Sequence, residues 1–387
     1  MSPEILVIGA GFSGAVMAER FASQLDKRVL VLEQRDHIGG NCFDYRNEAG
    51  IYVHRYGPHL FHTNKQRVWD YLSQFTEWHR YEHQVLSRVD GKLVPMPFNL
   101  NSLYAYFPAE RAQMLEALLI EHYGLGTRVS VMDLRQHSQQ QLRALGQTVY
   151  ERFFLNYTTK QWGCGPEEIA PEVIARVPVL VDRDNRYFQD QYQAIPKQGY
   201  TAVFEKLLGH SNIDVQLSQD ALQRLRFEKA TGDIYFDGEL YKGQVIYTGM
   251  LDALFDFSDG ELPYRSLQFV LETIDEEEFQ PVTTVNYPNE EAFTRITEFK
   301  HILPIESAKT TIVREYPQDF DRHDKDKNIP YYPVFTEKNE QIHAAYLFWV
   351  ERFARLAVLG RLADYKYYNM DDAVDRALNL FEARYAA

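Results

Sequence analysis

The stretch ILVIGAGFSGAVMAERFASQLDKRVLVLEQ, residues 5–34, decides the fold of this chain. An apolar run with a strand pattern, 5–8, leads into Gly9, Gly11 and Gly14, and an amphipathic helical pattern follows. Glycines at this spacing permit a tight turn and let backbone N–H groups approach a pyrophosphate at the N-terminus of the helix. The stretch therefore predicts a strand, a turn and a helix that bind a dinucleotide.

A second apolar strand, 28–32, follows the predicted helix and ends at Glu33. Glu33 lies 19 residues after Gly14, where a carboxylate that binds a ribose hydroxyl is expected. A glycine-rich turn without a ligand is the alternative. The order of strand, glycine motif, helix, strand and acid favours the dinucleotide site.

Composition limits the class of protein. The chain has 387 residues, 45% of them hydrophobic, which is enough for two or three ordered domains. A net charge of −14 argues against a nucleic-acid-binding surface, because binding a phosphate backbone requires clustered lysines and arginines. We therefore expect no nucleic-acid partner, and an anionic ligand must be bound by local arginines.

The sequence offers no candidate membrane span, because its longest apolar run, 344–350, is far shorter than a bilayer requires. The first core strand begins so close to Met1 that we expect no signal peptide. Cys42 and Cys164 form neither a disulfide framework nor the spacing of metal ligands. We therefore predict a cytoplasmic protein that has no metal site.

The rest of the chain alternates between helical and strand patterns. Helices are predicted at 64–75, 100–155 (a helical cluster), 199–209 and from Met370 onward, and strands at 86–98 (a hairpin), 244–249 and 266–315 (an antiparallel sheet). Residues 163–181 contain three prolines and two glycines and predict a loop. The dinucleotide domain is thus expected to consist of separated pieces of chain.

Several blocks of sequence together resemble one family. They are GAGFSGA (9–15), GGN (39–41), YGPHLFHT (56–63), FFLNYTTKQWG (153–163), DNRYF (184–188), VIYTG (245–249), FTRITEFKH (293–301), IPYYPV (329–334) and GRLADYKYYNMD (360–371). In this order they are similar to the bacterial UDP-galactopyranose mutases, and YGPHLFHT and YTTKQW are far more specific than the glycine motif. The resemblance covers essentially the whole chain.

The resemblance implies an α/β fold with insertions. A discontinuous Rossmann-like FAD-binding domain would consist of 1–80, 199–250 and 330–387. A helical domain for substrate binding and dimerisation would span 99–165, and an antiparallel β-sheet domain would comprise 81–98, 166–198 and 251–329. The resemblance further implies a homodimer.

The implied activity is the non-redox interconversion of UDP-galactopyranose and UDP-galactofuranose, an isomerase reaction of cell-surface polysaccharide biosynthesis. FAD would be active when reduced, its N5 atom forming a covalent adduct with C1 of galactose. Two other functions stay open. A flavin oxidase or dehydrogenase can share this fold, and a non-catalytic nucleotide sensor would bind a UDP-sugar without turnover.

The resemblance also assigns residues to the cofactor. Cofactor-binding residues are Gly9, Gly11, Phe12, Ser13, Gly14, Glu33, Gly40, Asn41, His59, Leu60, Thr248, Gly249, Arg361, Met370 and Asp371. Arg361 would neutralise the FAD pyrophosphate, and the helix that begins at Met370 would direct backbone N–H groups at the flavin.

The substrate and the reaction are assigned in the same way. Catalytic residues would be Arg176, Arg295 and His62, and substrate-binding residues Phe153, Tyr157, Thr158, Trp162, Arg176, Tyr187, Arg295, Tyr332, Tyr367 and Asn369. Planar guanidinium groups suit the oxygens of a diphosphate, and each charge-assisted hydrogen bond contributes roughly 1.5 to 3 kcal/mol. His62 would stack beside the flavin.

Three expectations concern local structure. Phe153 and Tyr157 are four residues apart, which places both on one face of a helix, suited either to a flat base or to a core. Residues 164–180 are expected to close over bound nucleotide and carry Arg176 inward. Asn369 stands where many members of the family carry aspartate, and Met250 where they often have proline.

Overall fold

The computed structural model describes residues 3–163, 165, 178–325 and 327–386. Within them, the strands are β1 (Ile5–Ile8), β2 (Val29–Leu32), β3 (Asp44–Arg46), β4 (Tyr52–His54), β5 (Phe61–Thr63), β6 (Trp78–Arg80), β7 (Val85–Val89), β8 (Lys92–Met96), β9 (Arg128–Ser130), β10 (Pro178–Leu180), β11 (Tyr192–Pro196), β12 (Ile213–Gln216), β13 (Leu225–Glu228), β14 (Asp233–Phe236), β15 (Glu239–Leu240), β16 (Gln244–Tyr247), β17 (Tyr264–Ile274), β18 (Thr284–Asn286), β19 (Arg295–Glu298), β20 (Thr310–Asp319), β21 (Tyr332–Pro333) and β22 (Leu356–Val358).

The α-helices of the described residues are α1 (Phe12–Leu25), α2 (Gln66–Leu72), α3 (Leu100–Tyr106), α4 (Ala109–Tyr123), α5 (Val131–Arg135), α6 (Gln140–Val149), α7 (Asn156–Trp162), α8 (Gly199–Leu207), α9 (Leu251–Leu254), α10 (Glu337–Glu351) and α11 (Met370–Arg384). A π-helix, Tyr150–Leu155, joins α6 to α7. None of the described helices is long and apolar enough to cross a membrane.

A five-stranded parallel sheet forms the centre of the first region. Its order is β12-β2-β1-β16-β22, so its strands come from three distant parts of the chain. All four residues of β1 and of β2 are buried, as in a sheet covered on both faces. Helices α1, α8 and α11 pack on one face, and α10 lies in the apolar layer on the other. This arrangement confirms the predicted α/β fold class and the strand, turn, helix and strand at 5–34.

The second region is a helical bundle formed by α3 to α6 and the π-helix, and its apolar core also includes side chains of β7 and β8. Strand β10 contributes to the same region, because it pairs with β9 and buries Val179 in this core. The domain boundaries expected from sequence assigned 178–180 to the antiparallel β-sheet domain. The apolar residues of this strand instead pack in the core of the helical bundle.

The third region is a seven-stranded sheet in the order β21-β17-β20-β19-β18-β7-β8. Six strands come from the predicted hairpin and from 264–319. The pairs are antiparallel except that β18 runs parallel to β7, so the sheet is mixed. Strand β11 was also expected in this sheet. It pairs instead with β5 and β6, which extends the first region toward the seven-stranded sheet.

Candidate active site

A cleft of about 590 Å³ lies at the carboxyl ends of the strands of the parallel sheet. This is where open α/β sheets bind ligands, and the volume lies in the range of small-molecule sites. The backbone of Gly9 has φ +102°, and a Cβ there would lie 2.2 Å from the Thr248 hydroxyl oxygen. Only glycine permits β1 and β16 to approach in this way.

A second close approach brings two turns of the chain together. A Cβ at Gly14 would lie 1.9 Å from the carbonyl oxygen of Gly9, so α1 packs directly on the turn before it. A Cβ at Gly40 would lie 3.1 Å from the Cα of Gly11. The cleft therefore begins as a cradle of backbone at the N-terminus of α1, where free N–H groups favour a phosphate.

Glu33 lies at the end of β2, as its spacing predicts. One carboxylate oxygen accepts a hydrogen bond from the backbone N–H of Ala10 at 2.8 Å, and the other accepts one from Arg35 N–H at 2.9 Å. Each carboxylate oxygen has a second lone pair, so Glu33 can still accept a hydrogen bond from a ribose hydroxyl. The residue is 5% exposed and lines the cleft.

Most of the residues assigned to the cofactor line this cleft. They are Gly9, Gly11, Phe12, Ser13, Glu33, Gly40, Asn41, His59, Thr248, Gly249, Arg361 and Met370.

Three assigned residues do not line the cleft: Gly14, Leu60 and Asp371. Gly14 packs beneath the turn, and Leu60 packs against an apolar cluster around Ile51 and Phe299. The Asp371 carboxylate accepts a hydrogen bond from the Thr63 hydroxyl at 2.8 Å.

The lining of the cleft also includes a cation. Arg361 donates a hydrogen bond from Nη2 to the carbonyl oxygen of Tyr331 at 2.9 Å. Its guanidinium lies 4.8 Å from the ring centroid of Tyr367. A backbone cradle, a carboxylate at the end of β2 and a guanidinium in the same cleft fit a dinucleotide with a charged pyrophosphate.

A second group of polar side chains surrounds Arg295, which begins β19 in the seven-stranded sheet. Nη2 of Arg295 donates a hydrogen bond to the Tyr157 hydroxyl at 2.6 Å. Directly opposite on β20 lies Glu315, with 3.5 Å between Arg295 Nε and the carboxylate. Arg295 Nε and one Glu315 oxygen are buried without a hydrogen-bond partner among the described residues. The guanidinium is therefore only partly satisfied by this protein.

Burial and neighbouring charges shift the pKa values of Arg295 and of the residues around it. Burial alone would lower the pKa of Arg295, but Glu315 and Tyr157 outweigh burial and raise this pKa well above its ordinary value. Burial raises the pKa of Glu315, which Arg295 only partly offsets. Burial also raises the pKa of Tyr157 to about 12, so its hydroxyl stays protonated. The site presents a permanent cation ringed by neutral hydroxyls, an arrangement suited to a diphosphate.

Aromatic contacts join the two sites, and we call the whole group around Arg295 the arginine cluster: Arg295, Glu315, Tyr157, Tyr187 and Tyr332. Tyr187 and Tyr332 lie close enough to Arg295 to contribute to its pKa. Ring centroids of Tyr332 and Tyr367 are 5.6 Å apart, and Trp162 lies 6.4 Å from Tyr332. The contacts Arg361–Tyr367–Tyr332 thus connect the dinucleotide cleft to the arginine cluster.

The position of Phe153 differs from the expectation that it shares a face with Tyr157. Phe153 is 2% exposed and packs in the core of the helical bundle, 5.2 Å from the rings of both Phe98 and Tyr106. Phe153 lies in the π-helix Tyr150–Leu155, whereas Tyr157 lies in α7 and accepts the hydrogen bond from Arg295. The structure thus places Phe153 in a core, the alternative to a ligand contact that the four-residue spacing left open.

The remaining predicted residues are placed as follows. Arg176 lies outside the described residues, as does most of the predicted loop 164–180. Thr158 is half-buried on α7. Asn369 lines the cleft, and its backbone N–H donates to the Asp372 carboxylate at 3.3 Å at the start of α11. His62 stacks on Phe188 at 3.7 Å.

Sequence reasoning missed three polar residues of this site. Glu315, His83 and Asp190 lie beside Arg295, Tyr187 and His62 respectively. Only Glu315 could have been predicted from the sequence. Pairing the strand patterns at 310–319 and 295–298 so that opposite charges face each other would have placed Glu315 beside Arg295. His83 and Asp190 depend on contacts that periodicity does not reveal.

Two family models match the chain. The model described as UDP-galactopyranose mutase matches residues 152–367, more than half of the chain. The chain belongs to the UDP-galactopyranose mutase family. A model described as an NAD(P)-binding Rossmann-like domain matches residues 7–75, which hold the glycine turn and Glu33.

The relatives of this chain are named for two different mutase activities. A dTDP-fucopyranose mutase of Escherichia coli is 33% identical over 97% of this chain and 96% of its own length. A probable UDP-galactopyranose mutase of Klebsiella pneumoniae is 34% identical over 97% of this chain and 92% of its own length. A UDP-galactopyranose mutase of Mycoplasma genitalium is 35% identical over 96% of this chain and 92% of its own length.

Solved structures show the same fold. A reduced UDP-galactopyranose mutase superposes with a TM-score of 0.73 at 16% identity, covering 100% of this chain and 95% of that one. A putative protoporphyrinogen oxidase from Exiguobacterium superposes with a TM-score of 0.64 at 14% identity, covering 99% and 98% of the two chains. The fold of the mutase family is thus shared with an oxidase, and only the residues of the site can separate the two.

Proposed function

We propose that this protein is a flavin-dependent mutase that interconverts UDP-galactopyranose and UDP-galactofuranose without net oxidation. The observation that supports this most strongly is the connection of the two sites through Arg361, Tyr367 and Tyr332, at 4.8 and 5.6 Å. A nucleotide sugar whose diphosphate binds Arg295 would extend its sugar toward the dinucleotide cleft. An isomerase needs such an arrangement, because its cofactor and substrate must meet.

In this proposal Arg295 binds the diphosphate and stabilises the charge that develops when UDP leaves, as preorganised cations do. The hydroxyls of Tyr157, Tyr187, Tyr332 and Tyr367 orient the phosphate oxygens. Arg176 supplies the second guanidinium, as the resemblance implies. Trp162 and Thr158 contact the nucleotide and sugar from α7.

The cofactor in this proposal is FAD, held by the glycine turns, Glu33, Thr248 and Arg361. When it is bound and reduced, FAD supplies a nucleophilic nitrogen for the anomeric carbon of the sugar. The first turn of α11 directs backbone N–H groups at the bound flavin. Asn369 and His62 lie near this end of the cleft and would contact the sugar and the flavin ring.

A second candidate substrate is dTDP-fucopyranose. It is favoured by the 33% identity to the dTDP-fucopyranose mutase over nearly the whole of both chains. The two candidates share a diphosphate and a pyranose ring, so the arginine cluster serves either one. They differ in the base, in the 2′-hydroxyl of the nucleoside sugar and in the 6-hydroxyl of the hexose.

The experiment uses the purified full-length protein with its bound flavin, reduced anaerobically by dithionite. Chromatography follows the conversion of UDP-galactofuranose to UDP-galactopyranose, and of the dTDP-fucose pair in parallel. We expect turnover by the reduced protein and none by the oxidised protein. Equal rates in both redox states contradict the mechanism. Net reduction of the flavin by an added amine or alcohol, with no isomerisation, would establish an oxidase.

We also propose that the protein is a cytoplasmic homodimer. The homodimer is supported by the family resemblance, and the cytoplasm by Cys42, which is buried as a free thiol. Light scattering after gel filtration tests the oligomeric state, and a mass of one chain would contradict it. Fractionation of cells that express the full chain tests the location.

A further inference from the structure

His62 is held on two sides by one segment of chain, 187–190. Its ring stacks on Phe188 with centroids 3.7 Å apart and planes inclined by 15°. Its Nδ1 lies 2.9 Å from the Asp190 carboxylate. The two side chains are 13% and 23% exposed, so the contact is largely shielded from water. Both the plane and the rotation of the ring are therefore fixed.

The Asp190 carboxylate is itself fixed. Its other oxygen accepts a hydrogen bond from the side-chain amide of Asn64 at 2.8 Å. The Gln193 amide donates to the backbone carbonyls of Phe188 and Asp190 at 3.1 and 3.0 Å. A free surface carboxylate has no such restraint. These contacts set the carboxylate before any ligand binds.

The segment also reaches the arginine cluster. The backbone N–H of Tyr187 donates to the carbonyl oxygen of His83 at 2.7 Å, and the two rings lie 5.6 Å apart. Burial lowers the pKa of His83 to about 3, and the charges of Arg295 and His62 both contribute. His83 is therefore close to both residues, and 187–190 connects the arginine cluster to His62.

His62 is connected to the dinucleotide cleft as well. The next residue, Thr63, donates a hydrogen bond from its hydroxyl to Asp371, in the first turn of α11. Met370, at the start of that helix, lines the cleft. His62 thus lies at the junction of the two sites, although it belongs to the lining of neither.

We propose that Asp190 is a positioning residue that sets the tautomer of His62. A carboxylate only accepts hydrogen bonds, so Nδ1 of His62 must carry the proton. In the neutral imidazole, Nε2 then has a free lone pair and, among the described residues, no hydrogen-bond partner. Such a nitrogen can accept a hydrogen bond from a sugar hydroxyl, whose proton must move when a pyranose ring opens and a furanose ring closes. This inference rests on the proposed function.

The first test reads the tautomer directly. The flavin-loaded protein is labelled with ¹⁵N-histidine, and the two ring nitrogens of His62 are identified by their loss in His62→Gln. We expect a protonated Nδ1 and an unprotonated Nε2 in the wild type. In Asp190→Ala we expect this pattern to be lost, and in Asp190→Asn, which keeps one acceptor oxygen, to persist. An unchanged pattern in Asp190→Ala overturns the proposal.

The second test separates turnover from binding. Asp190→Ala should lower kcat about 50-fold and change KM and the Kd for UDP less than threefold, because Arg295 is untouched. Asn64→Ala, which removes only the donor to the carboxylate, should lower kcat about fivefold. Asp184→Asn, a carboxylate of the same loop that pairs with Arg186, is the matched control and should keep kcat within twofold.

These outcomes distinguish two kinds of failure. A wild-type protein that turns over neither nucleotide sugar contradicts the proposed function, while the ¹⁵N pattern still tests whether Asp190 sets the tautomer. A kcat of Asp190→Ala within threefold of wild type overturns the positioning role. Equal flavin content and melting temperature in all variants exclude a loss through unfolding.

Discussion

The dinucleotide cleft takes its shape from backbone, whereas the arginine cluster is made of side chains that arrive from distant parts of the chain. In the cleft, glycine lets β1, β16 and α1 approach until a single Cβ would collide with a neighbour. In the cluster, Arg295, Tyr157 and Glu315 come from three elements and meet through two contacts, at 2.6 and 3.5 Å. Among the described residues, both sites hold a buried polar atom without a hydrogen-bond partner: Arg35 Nη1 in the cleft, and Arg295 Nε and one Glu315 oxygen in the cluster.

This difference indicates that the two sites serve different parts of ligand recognition. A backbone cradle recognises what all dinucleotides share, a pyrophosphate and a ribose. In the proposed function the cluster recognises a particular second ligand, because side chains differ in charge, reach and hydrogen bonding. Changes in the cleft should therefore affect folding and cofactor content together, and changes in the cluster should affect turnover alone.

The largest effect is expected for Arg295→Ala. Removal of the guanidinium should lower kcat 100- to 1000-fold, or roughly 3 to 4 kcal/mol of transition-state stabilisation, as for other preorganised electrostatic groups. Flavin content should not change. The measurement is anaerobic turnover of UDP-galactofuranose by the reduced protein.

The matched control for this prediction is Arg314→Ala. Arg314 lies on the neighbouring strand, opposite Ile296, and pairs with the exposed Glu272. An exposed ion pair contributes little, so turnover should stay within twofold. Near-normal turnover in Arg295→Ala would show that the cluster is not the leaving-group site.

The second largest effect is expected for Gly14→Ala, which tests whether close backbone packing shapes the dinucleotide cleft. A methyl group 1.9 Å from the Gly9 carbonyl oxygen forces α1 away from the turn. We expect a loss of about 3 kcal/mol in the free energy of unfolding and most of the bound flavin. Urea denaturation and the absorbance of the purified protein measure these two quantities.

Gly91→Ala is the control variant for Gly14→Ala. A Cβ at Gly91 meets no atom within 4 Å, although its φ of +77° is unfavourable for alanine. Its cost should be about 1 kcal/mol, with full flavin content. Equal losses in both variants would contradict the prediction, because the close approach at Gly14 would then cost no more than an unfavourable φ on an open surface.

A smaller effect concerns pH and involves both sites. Burial lowers the pKa of His54, behind the cleft, and of His83, beside the cluster, to about 3. Between pH 3 and 6.5 the unfolded chain binds protons that these side chains do not bind in the native protein. Stability should therefore be complete above pH 6.5 and fall on acidification, on the order of 1–2 kcal/mol per histidine by pH 5.

Urea midpoints measured at pH 7 and pH 5 test this prediction. The His83→Gln variant removes one of the two groups, so its midpoint should fall less between these pH values than that of the wild type. Parallel curves for the two proteins would show that His83 does not contribute to the pH dependence.

The smallest effect is expected for Tyr157→Phe. The change removes one hydrogen bond from Arg295, so kcat/KM should fall about five- to tenfold, or roughly 1 kcal/mol. Flavin content and stability should not change. Isothermal titration with UDP provides a second measure, and a loss of affinity above 100-fold would mean that Tyr157 positions the whole guanidinium.

The same contrast explains how much the sequence could predict. The cleft follows from 5–34 because a strand, a glycine turn and a helix are local, and Glu33 lies at a fixed spacing from them. Arg295 and the tyrosines were assigned through family resemblance, and only a cross-strand pairing of 310–319 with 295–298 could have added Glu315. Phe153 was misplaced because a spacing of four residues does not distinguish a core residue from a residue that contacts a ligand. Asp190 depends on a contact across 128 residues of chain.

The π-helix Tyr150–Leu155 also has a consequence for variation within the family. A π-turn contains about one more residue than an α-helical turn, so it absorbs an extra residue within a single turn. Deletion of one residue here would restore an α-helical turn and leave α6 and α7 facing as they do. The chain can thus gain or lose one residue at this position while Tyr157 keeps its direction toward Arg295.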